Sequence, residues 1–167
     1  MNEKIKKIAM FLDVDGVLNQ YNINERKRRN KIYKKSNYLI NKKVFAPFNK
    51  KILRLYKLIK KYDIEVYLFS AWTKEELEYY LPNKFKLYFK EDTYKYISNM
   101  NKIAMNYENS LLIDDEASSI KEKGLKGEKC NIYKNIMMYQ PDGNYGLIKK
   151  DFRNLEKILA NKKNNYN

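Results

Sequence analysis

The chain has 167 residues, of which 44% are hydrophobic and 33% are charged, a composition typical of one soluble globular domain. It contains no histidine and a single cysteine, Cys130, which excludes an internal disulfide, a Cys/His zinc site and catalytic triads that use imidazole as the base. The formal net charge of +15 suggests polyanionic partners such as nucleic acid, and the lack of a signal peptide or a membrane-length apolar run predicts a cytoplasmic protein.

The first predicted strand runs from about Lys7 to Asp13 and leads into Asp13-Val14-Asp15-Gly16. Because Asp13 and Asp15 alternate with Val14, their carboxylates can share one side of the strand end, where their repulsion calls for a compensating cation. Oxygen ligands of this kind suit Mg²⁺. An ordinary Asp-Gly turn that closes a strand is the alternative.

A basic segment follows, and we treat residues 20–45 as a flap beside the first motif. Between Asn22 and Lys43, nine lysines and arginines are opposed by one acid, Glu25, and tyrosines are interleaved among them. Such a segment can steer and stack nucleotides, with Arg26, Arg28 and Arg29 as candidate substrate contacts. A solvated flap whose charges only confer solubility is an equally open interpretation.

A helix is predicted after Ala46-Pro47-Phe48-Asn49, with its apolar residues at helical spacing and its lysines, including Lys51, largely facing water. The next strand, residues 64–69, ends in Ser70-Ala71-Trp72-Thr73, and a helix is predicted from Thr73 to about Leu81. A serine at the carboxyl end of a strand, just before a helix, can bind a phosphate oxygen. A simple turn serine is the alternative.

The second half of the chain continues the alternation of strands and helices. A short strand at 85–89 and a helix at about 94–107 are expected, and that helix would carry Lys95 and Lys102 on nearly the same face. The strand Leu111-Leu112-Ile113 then delivers a second acidic pair, Asp114-Asp115. Helical residues to about 123, a strand at 130–133, a loop at 141–146 and a final helix at about 151–162 complete the pattern.

This alternation predicts an α/β fold with a mostly parallel sheet and helices on both faces. Ligands bind at the carboxyl ends of the strands in such sheets, which is where the acidic pairs would lie. We expect one domain over residues 1–161 and a frayed tail at 162–167. The gaps around the first two motifs leave no room for a large cap domain.

Three motifs together, DVDGVLN at 13–19, Ser70 after VYLF, and LLIDDE at 111–116, resemble the haloacid dehalogenase (HAD) superfamily of phosphatases. The stretches FLDVDGVLN, Ala46-Pro47-Phe48-Asn49, Ser70-Ala71-Trp72-Thr73 and Gly146-Leu147 look more narrowly like the compact HAD domains associated with RNA repair proteins and phage polynucleotide phosphatases. The resemblance spans most of the chain and implies the three-layer, Rossmann-like HAD fold.

The resemblance also implies roles for single residues. Asp13 would be the nucleophile and a Mg²⁺ ligand, and Asp15 the general acid and base, with its backbone carbonyl as a further ligand. Ser70 would hold the phosphoryl group within a substrate-binding stretch that includes Ala71 and Trp72. Asp114 and Asp115 would position the metal. A lysine would neutralise the phosphate, with Lys95 the first choice, Lys102 the second and Lys90 the third.

These implications favour a Mg²⁺-dependent phosphatase that forms an aspartyl-phosphate. Since no large cap is expected, the open site would admit a nucleic-acid end, such as a 3′-phosphate, or a nucleotide. Small phosphate esters are an alternative substrate class, and a HAD-like protein that binds nucleic acid or a nucleotide without turnover is an alternative function.

Overall fold

The computed structural model describes residues 5–19, 49–75, 77, 89–93, 95–120 and 136–163. The elements within these ranges are, in chain order, β1 (Ile5–Leu12), α1 (Asn49–Tyr62), β2 (Ile64–Leu68), β3 (Phe89–Asp92), α2 (Ile97–Ala104), β4 (Tyr107–Ile113), β5 (Ile136–Tyr139) and α3 (Lys149–Lys163). Residues 74, 75, 77 and 117–120 are also helical. The predicted basic flap lies outside the described residues.

The five strands form one parallel sheet in the order β3-β2-β1-β4-β5. β1 is central, and its residues pair with both neighbours: Leu12 lies opposite Leu68 of β2 and Ile113 of β4. Parallel strands joined by helices must have both faces covered, which explains why β1 is almost wholly apolar.

Alternate residues of β1 face two separate cores. Met10 and Leu12 belong to one core, together with apolar residues of α1 and α3 such as Leu55 and Leu155. Phe11 belongs to the other core, which includes Met100 of α2. The predicted three-layer α/β fold is therefore confirmed.

The remaining stretches fit the absence of a large cap. The longest internal stretch outside the described ranges is residues 20–48, which is shorter than the roughly 50 residues that a separate domain usually needs. Among the described helices, none is long and apolar enough to cross a membrane.

Several strand boundaries differ from the sequence-based expectations. β4 begins four residues earlier than expected, at Tyr107, and β3 begins at Phe89, where the predicted strand was expected to end. Sequence analysis did not predict β5, which has two half-buried methionines and a polar sequence on either side. The strand expected at 130–133 lies outside the described residues.

The largest correction concerns the helix expected at about 94–107. α2 covers only Ile97–Ala104, and Lys95 lies in the turn before it with φ of 56°, in the left-handed region. Lys95 and Lys102 therefore do not share a helix face. The helical spacing of apolar residues in this stretch predicted a longer helix. Such spacing does not indicate the backbone conformation of the turn at Lys95.

A second correction concerns Lys51, which was expected to face water and is instead buried. Its ammonium donates hydrogen bonds to the backbone oxygens of Asn19, at 3.2 Å, and Tyr145, at 2.5 Å. The backbone N–H of Leu147 also donates to the oxygen of Val17, at 2.9 Å. These bonds join α1, the loop after Asp13 and the loop before α3 at one point, which we call the Lys51 junction.

Gly146 occupies the centre of the Lys51 junction. Its φ is 59°, and a Cβ at this position would lie 2.2 Å from the Asn19 oxygen and 2.5 Å from Lys51 Nζ. Both the left-handed backbone and the lack of space therefore require glycine here.

We expect Gly146→Ala to lower the free energy of unfolding by about 2 kcal/mol or more, because the left-handed backbone alone costs 1–2 kcal/mol and the new methyl group collides with backbone atoms. Urea unfolding monitored by circular dichroism measures this. Gly143→Ala, in the same loop but without a positive φ, is the matched control. Equal stability of the two variants would contradict the prediction.

Candidate active site

The carboxyl ends of β1, β2 and β4 bring the three motifs together. The backbone N–H of Asp13 donates to the oxygen of Ile113 at 3.0 Å, and that of Phe69 donates to the oxygen of Leu12 at 2.9 Å. The hydrogen bonding between strands thus continues to the residues that carry the site. Asp13, Ser70 and Asp114 lie at strand ends, as predicted, and the structure shows that the three strands are adjacent and the three residues buried.

Asp13 lies at the centre of the site, and only 1% of its surface is exposed. Its Oδ1 accepts a hydrogen bond from the N–H of Val14 at 2.7 Å, and its Oδ2 accepts one from Lys95 Nζ at 2.8 Å. A buried carboxylate is stable only when its oxygens are paired in this way. The Oδ2 atom is therefore held by a single cation.

Lys95 is the lysine that the structure places at the site among the three candidates. Its ammonium lies 2.8 Å from Asp13 Oδ2 and 3.5 Å from Asp114 Oδ2, and these two carboxylates raise the pKa of Lys95 against the opposing effect of burial. Lys90 instead pairs with Glu65 at 3.3 Å, and Lys102 is exposed on α2. Because a left-handed backbone is unusual for lysine, the conformation at Lys95 marks a position that the surrounding structure imposes.

Three carboxylates converge beside this lysine. Asp13, Asp114 and Asp115 each present one oxygen, and these oxygens lie within 4.8 Å of one another. Asp114 Oδ1 accepts a hydrogen bond from the N–H of Glu116 at 2.7 Å, whereas its buried Oδ2 accepts none. This oxygen has no hydrogen bond, and its cationic neighbour, Lys95, lies 3.5 Å away. A cluster of carboxylates with such an oxygen matches the donor set of a hard divalent cation such as Mg²⁺.

Burial and mutual repulsion shift the pKa values of this cluster. Burial, followed by the charge of Asp114, raises the pKa of Asp13 to about 7, although hydrogen bonds from Lys95 and Ser70 oppose the shift. Burial also raises the pKa of Asp114 and of Asp115. One lysine therefore does not compensate three carboxylates, and the cluster favours a proton or a further cation.

Asp15 lies outside this three-residue cluster, and its carboxylate is oriented by other side chains. Asn19 Nδ2 donates to Asp15 Oδ1 at 2.6 Å, and the indole N–H of Trp72 donates to Asp15 Oδ2 at 3.1 Å. Asn19 Oδ1 also accepts the N–H of Gly16 at 2.8 Å, so this amide is fixed at both ends. The carboxylate of Asp15 is thus held in one orientation by two donors, while its predicted roles in proton transfer and, through its backbone, in metal binding stay predictions.

Two of these positioning features were missed from the sequence. Asn19 lies within the first motif but was not predicted as a site residue. In a tight turn, the side-chain amide of a residue four positions after Asp15 can reach the Asp15 carboxylate. Trp72 was predicted to bind substrate, but its side chain is 8% exposed and its indole bonds Asp15. No local pattern connects Trp72 to a residue 57 positions earlier.

The other predicted substrate contacts divide into two groups. Ser70 is buried, and its Oγ accepts the backbone N–H of Trp72 at 3.3 Å, while Ala71 is exposed at the rim of the site. The predicted contacts Arg26, Arg28 and Arg29 lie outside the described residues.

The raised pKa of Asp13 makes the stability of the metal-free protein depend on pH. Between pH 4 and 7 the folded protein keeps a proton on Asp13 that the unfolded chain has lost, so the contribution of Asp13 to stability falls as the pH rises, by up to about 1.4 kcal/mol per pH unit. We expect Asp13→Asn to gain stability over the parent protein through this range. Urea unfolding in EDTA at several pH values measures the difference.

The matched control is Asp63→Asn, which removes a negative charge from an exposed residue. For each variant, the difference in unfolding free energy from the parent is followed with pH. If this difference changes no more with pH for Asp13→Asn than for Asp63→Asn, the raised pKa of Asp13 is contradicted.

Comparisons of this chain with known proteins give its family from a family model and its fold from solved structures. The family model described as the HAD domain in Swiss Army Knife RNA repair proteins matches residues 9–126. A crystal structure of the Legionella pneumophila effector Ceg4 carrying an N-terminal yeast Hog1p sequence is similar, with 11% identity, a TM-score of 0.53, and coverage of 95% of this chain and 98% of that chain. A second Ceg4 structure, with an N-terminal TEV protease cleavage sequence, has 14% identity, a TM-score of 0.51 and 96% coverage of both chains.

The HAD domain of the Legionella pneumophila effector Lem4 is also similar, with 12% identity, a TM-score of 0.50, and coverage of 95% of this chain and 96% of that chain. At these identities the structural likeness shows the fold alone. A comparison with curated protein sequences finds no match. Because the family model covers more than half of the chain, including all three motifs and Lys95, this chain belongs to the HAD-domain family of Swiss Army Knife RNA repair proteins, within the superfamily of HAD-type hydrolases and phosphatases.

Proposed function

We propose that this protein is a Mg²⁺-dependent phosphatase that acts through an aspartyl-phosphate. The observation that carries the proposal is the arrangement of Asp13: one oxygen lies 2.8 Å from Lys95, in a cluster with Asp114 and Asp115, and a second aspartate is held separately two residues later. A nucleophilic carboxylate, a cation for the phosphate and a positioned proton donor are the parts that phosphate-ester hydrolysis through a covalent intermediate needs.

The cation expected at this site is Mg²⁺, which Asp13, Asp114 and Asp115 would hold. When bound, it supplies positive charge that neutralises the carboxylates and the phosphoryl oxygens. Near neutral pH, where burial raises the pKa of Asp13 to about 7, this positive charge would favour the ionised form of Asp13. Asp13 is then ionised and able to act as a nucleophile.

The first chemical step joins Asp13 to phosphorus. An Asp13 carboxylate oxygen attacks the phosphorus atom, the bond from phosphorus to the ester oxygen breaks, and protonated Asp15 gives its proton to the leaving alkoxide. Lys95, 2.8 Å from Asp13 Oδ2, and the buried Ser70 would stabilise the charge on the phosphoryl oxygens. The products of this step are the free alcohol and an aspartyl-phosphate.

The second step returns the enzyme to its starting state. Asp15, now a carboxylate, takes a proton from water as the water oxygen attacks the phosphorus, and the bond between phosphorus and Asp13 breaks to release inorganic phosphate. The hydrogen bonds from Asn19 and Trp72 to Asp15 suit this double role, because they fix the carboxylate while leaving it partly exposed to substrate and water.

For the substrate, we propose a nucleic-acid end such as a 3′-phosphate, or a nucleotide. The supports are the occurrence of this HAD-domain family in RNA repair proteins and the net charge of +15. A contribution from Arg26, Arg28 and Arg29 of the basic flap is part of this proposal. The competing function is binding of nucleic acid without turnover. Phosphate release by the purified protein would exclude it.

We expect the purified protein with Mg²⁺ to release phosphate from 3′-phosphorylated oligonucleotides and to lose this activity in EDTA. Asp13→Asn should lower the rate by about 10⁴-fold or more, because the amide is no nucleophile. Asp15→Asn should lower kcat by 10²–10⁴-fold, the usual contribution of general acid–base catalysis. Phosphate release is measured by a colorimetric assay.

No phosphate release by the parent protein from oligonucleotides, nucleotides or aryl phosphates would contradict the proposed function. The circular dichroism spectra of both variants should match the parent, which separates loss of chemistry from loss of fold.

We also expect Lys95→Met to reduce kcat/KM by about 10²–10³-fold, because a positive charge aimed at the reacting phosphoryl group is removed. Lys102→Met is the matched control, since Lys102 is exposed on α2, and it should keep nearly full activity. Steady-state kinetics with an aryl phosphate measure both variants. Equal losses in the two variants would show that Lys95 has no special role.

A further inference from the structure

Positive charge is concentrated on one helical layer of the described molecule. α1 carries six basic residues and no acidic ones, and α3 carries six basic and two acidic residues. The remaining described residues include six basic and twelve acidic ones. Within the described residues, positive charge is therefore not spread evenly, and the layer formed by α1 and α3 has a strongly positive surface.

A groove runs between these two helices. They are held together by an ion pair of Lys61 Nζ with Glu156 Oε1 at 2.5 Å, and the Arg54 guanidinium lies 5.8 Å from the centre of the Phe152 ring. Leu58 and Phe152 form a buried apolar floor. Six basic residues without an acidic partner in the groove form its rim: Arg54, Lys57, Lys149, Lys150, Arg153 and Lys157.

One end of the groove adjoins the active site. Lys51 lies one helical turn before Arg54 and donates to the backbone oxygen of Asn19, whose side chain donates to Asp15. Leu147 lies two residues before Lys149, the first residue of α3. The backbone N–H of Leu147 donates a hydrogen bond to the backbone oxygen of Val17. Because β1 and β2 are parallel, α1, which connects to the start of β2, runs from the carboxyl edge of the sheet back to the opposite edge. The groove along α1 therefore extends in the same direction.

We infer that this α1/α3 groove binds the phosphodiester backbone of a nucleic acid whose terminal phosphate enters the site at Asp13, an inference that rests on the proposed function. From Lys149 to Lys157, helix α3 rises about 12 Å, which matches on the order of three successive phosphates of one strand. Exposed lysines and arginines bind such a backbone by displacing its counterions. A mononucleotide that occupies the site does not extend along the groove.

Nucleic acid fits this surface better than a membrane does. A helix that binds at a membrane surface inserts an exposed apolar face among the lipids. Here the apolar side of each helix is committed to the protein core, and Leu58 and Phe152 are each only 7% exposed. The accessible part of the groove is its charged rim.

The test compares two double variants that each remove two positive charges. Lys57→Gln with Arg153→Gln neutralises both sides of the groove, whereas Lys60→Gln with Lys102→Gln neutralises exposed residues that do not line it. Binding to a 3′-phosphorylated oligonucleotide is measured in EDTA by fluorescence anisotropy at several salt concentrations. KM and kcat are measured with Mg²⁺ for the oligonucleotide and for an aryl phosphate.

For the groove variant, Lys57→Gln with Arg153→Gln, we expect the slope of log affinity against log salt concentration to be smaller in magnitude by about 1.4. The reason is that each lost contact to a single strand removes about 0.7 from the slope. Its KM for the oligonucleotide should rise by about tenfold, since counterion release amounts to several-fold in affinity per contact. The control variant should lose little of either quantity. In both variants, kcat/KM for the aryl phosphate should stay near that of the parent.

If the two double variants weaken oligonucleotide binding equally, the inference is overturned. It is also overturned if the groove variant loses as much activity on the aryl phosphate as on the oligonucleotide. Binding to anionic phosphatidylserine vesicles that depends on the groove, without groove-dependent oligonucleotide binding, would also overturn it in favour of a lipid surface. A parent protein that releases no phosphate would refute the proposed function, while the anisotropy measurement would still decide whether the groove binds nucleic acid.

Discussion

The structure depends on the convergence of carboxylates at the buried ends of parallel strands. Asp13 and Asp114 each follow a strand in the middle of the sheet, and almost none of their surface reaches solvent. Charges in such an environment repel strongly and lack water to compensate them. Lys95 neutralises part of this charge, and the raised pKa of Asp13 shows that the rest favours a proton or a metal ion. The same repulsion opposes folding without a cation, which is the physical basis for the proposed metal site.

A second set of contacts connects this cluster to the helical layer. The Lys51 junction ties α1 to the loop after Asp13 and to the loop before α3, and Gly146 allows the three segments to approach closely. Asn19 participates twice, because its backbone oxygen accepts from Lys51 and its side chain donates to Asp15. The position of the proposed general acid is therefore coupled to the packing of the two basic helices. A substrate strand that binds along those helices would contact the element on which the geometry at Asp15 depends.

Family membership and site geometry contribute different information. The family model shows a HAD-type domain, whereas the structural neighbours, at 11% to 14% identity with this chain, show the fold alone. A shared fold does not identify a substrate. The distribution of charge on this particular chain is what directs the proposal toward nucleic acid, because basic residues accumulate on α1 and α3 while acidic residues accumulate elsewhere in the described structure.

By itself, the sequence determined the α/β class, the parallel sheet with helices on both faces, and the position of Asp13, Ser70 and Asp114 at the carboxyl ends of strands. These features follow from local patterns, namely apolar runs, their alternation with amphipathic helices, and polar residues at the point where each run ends. Only the tertiary structure decided which lysine reaches Asp13, that Lys51 is buried, and that Trp72 orients Asp15. Lys95 lies 82 residues from Asp13 and Trp72 lies 57 residues from Asp15, and contacts of this kind depend on packing between distant segments, which no local pattern encodes.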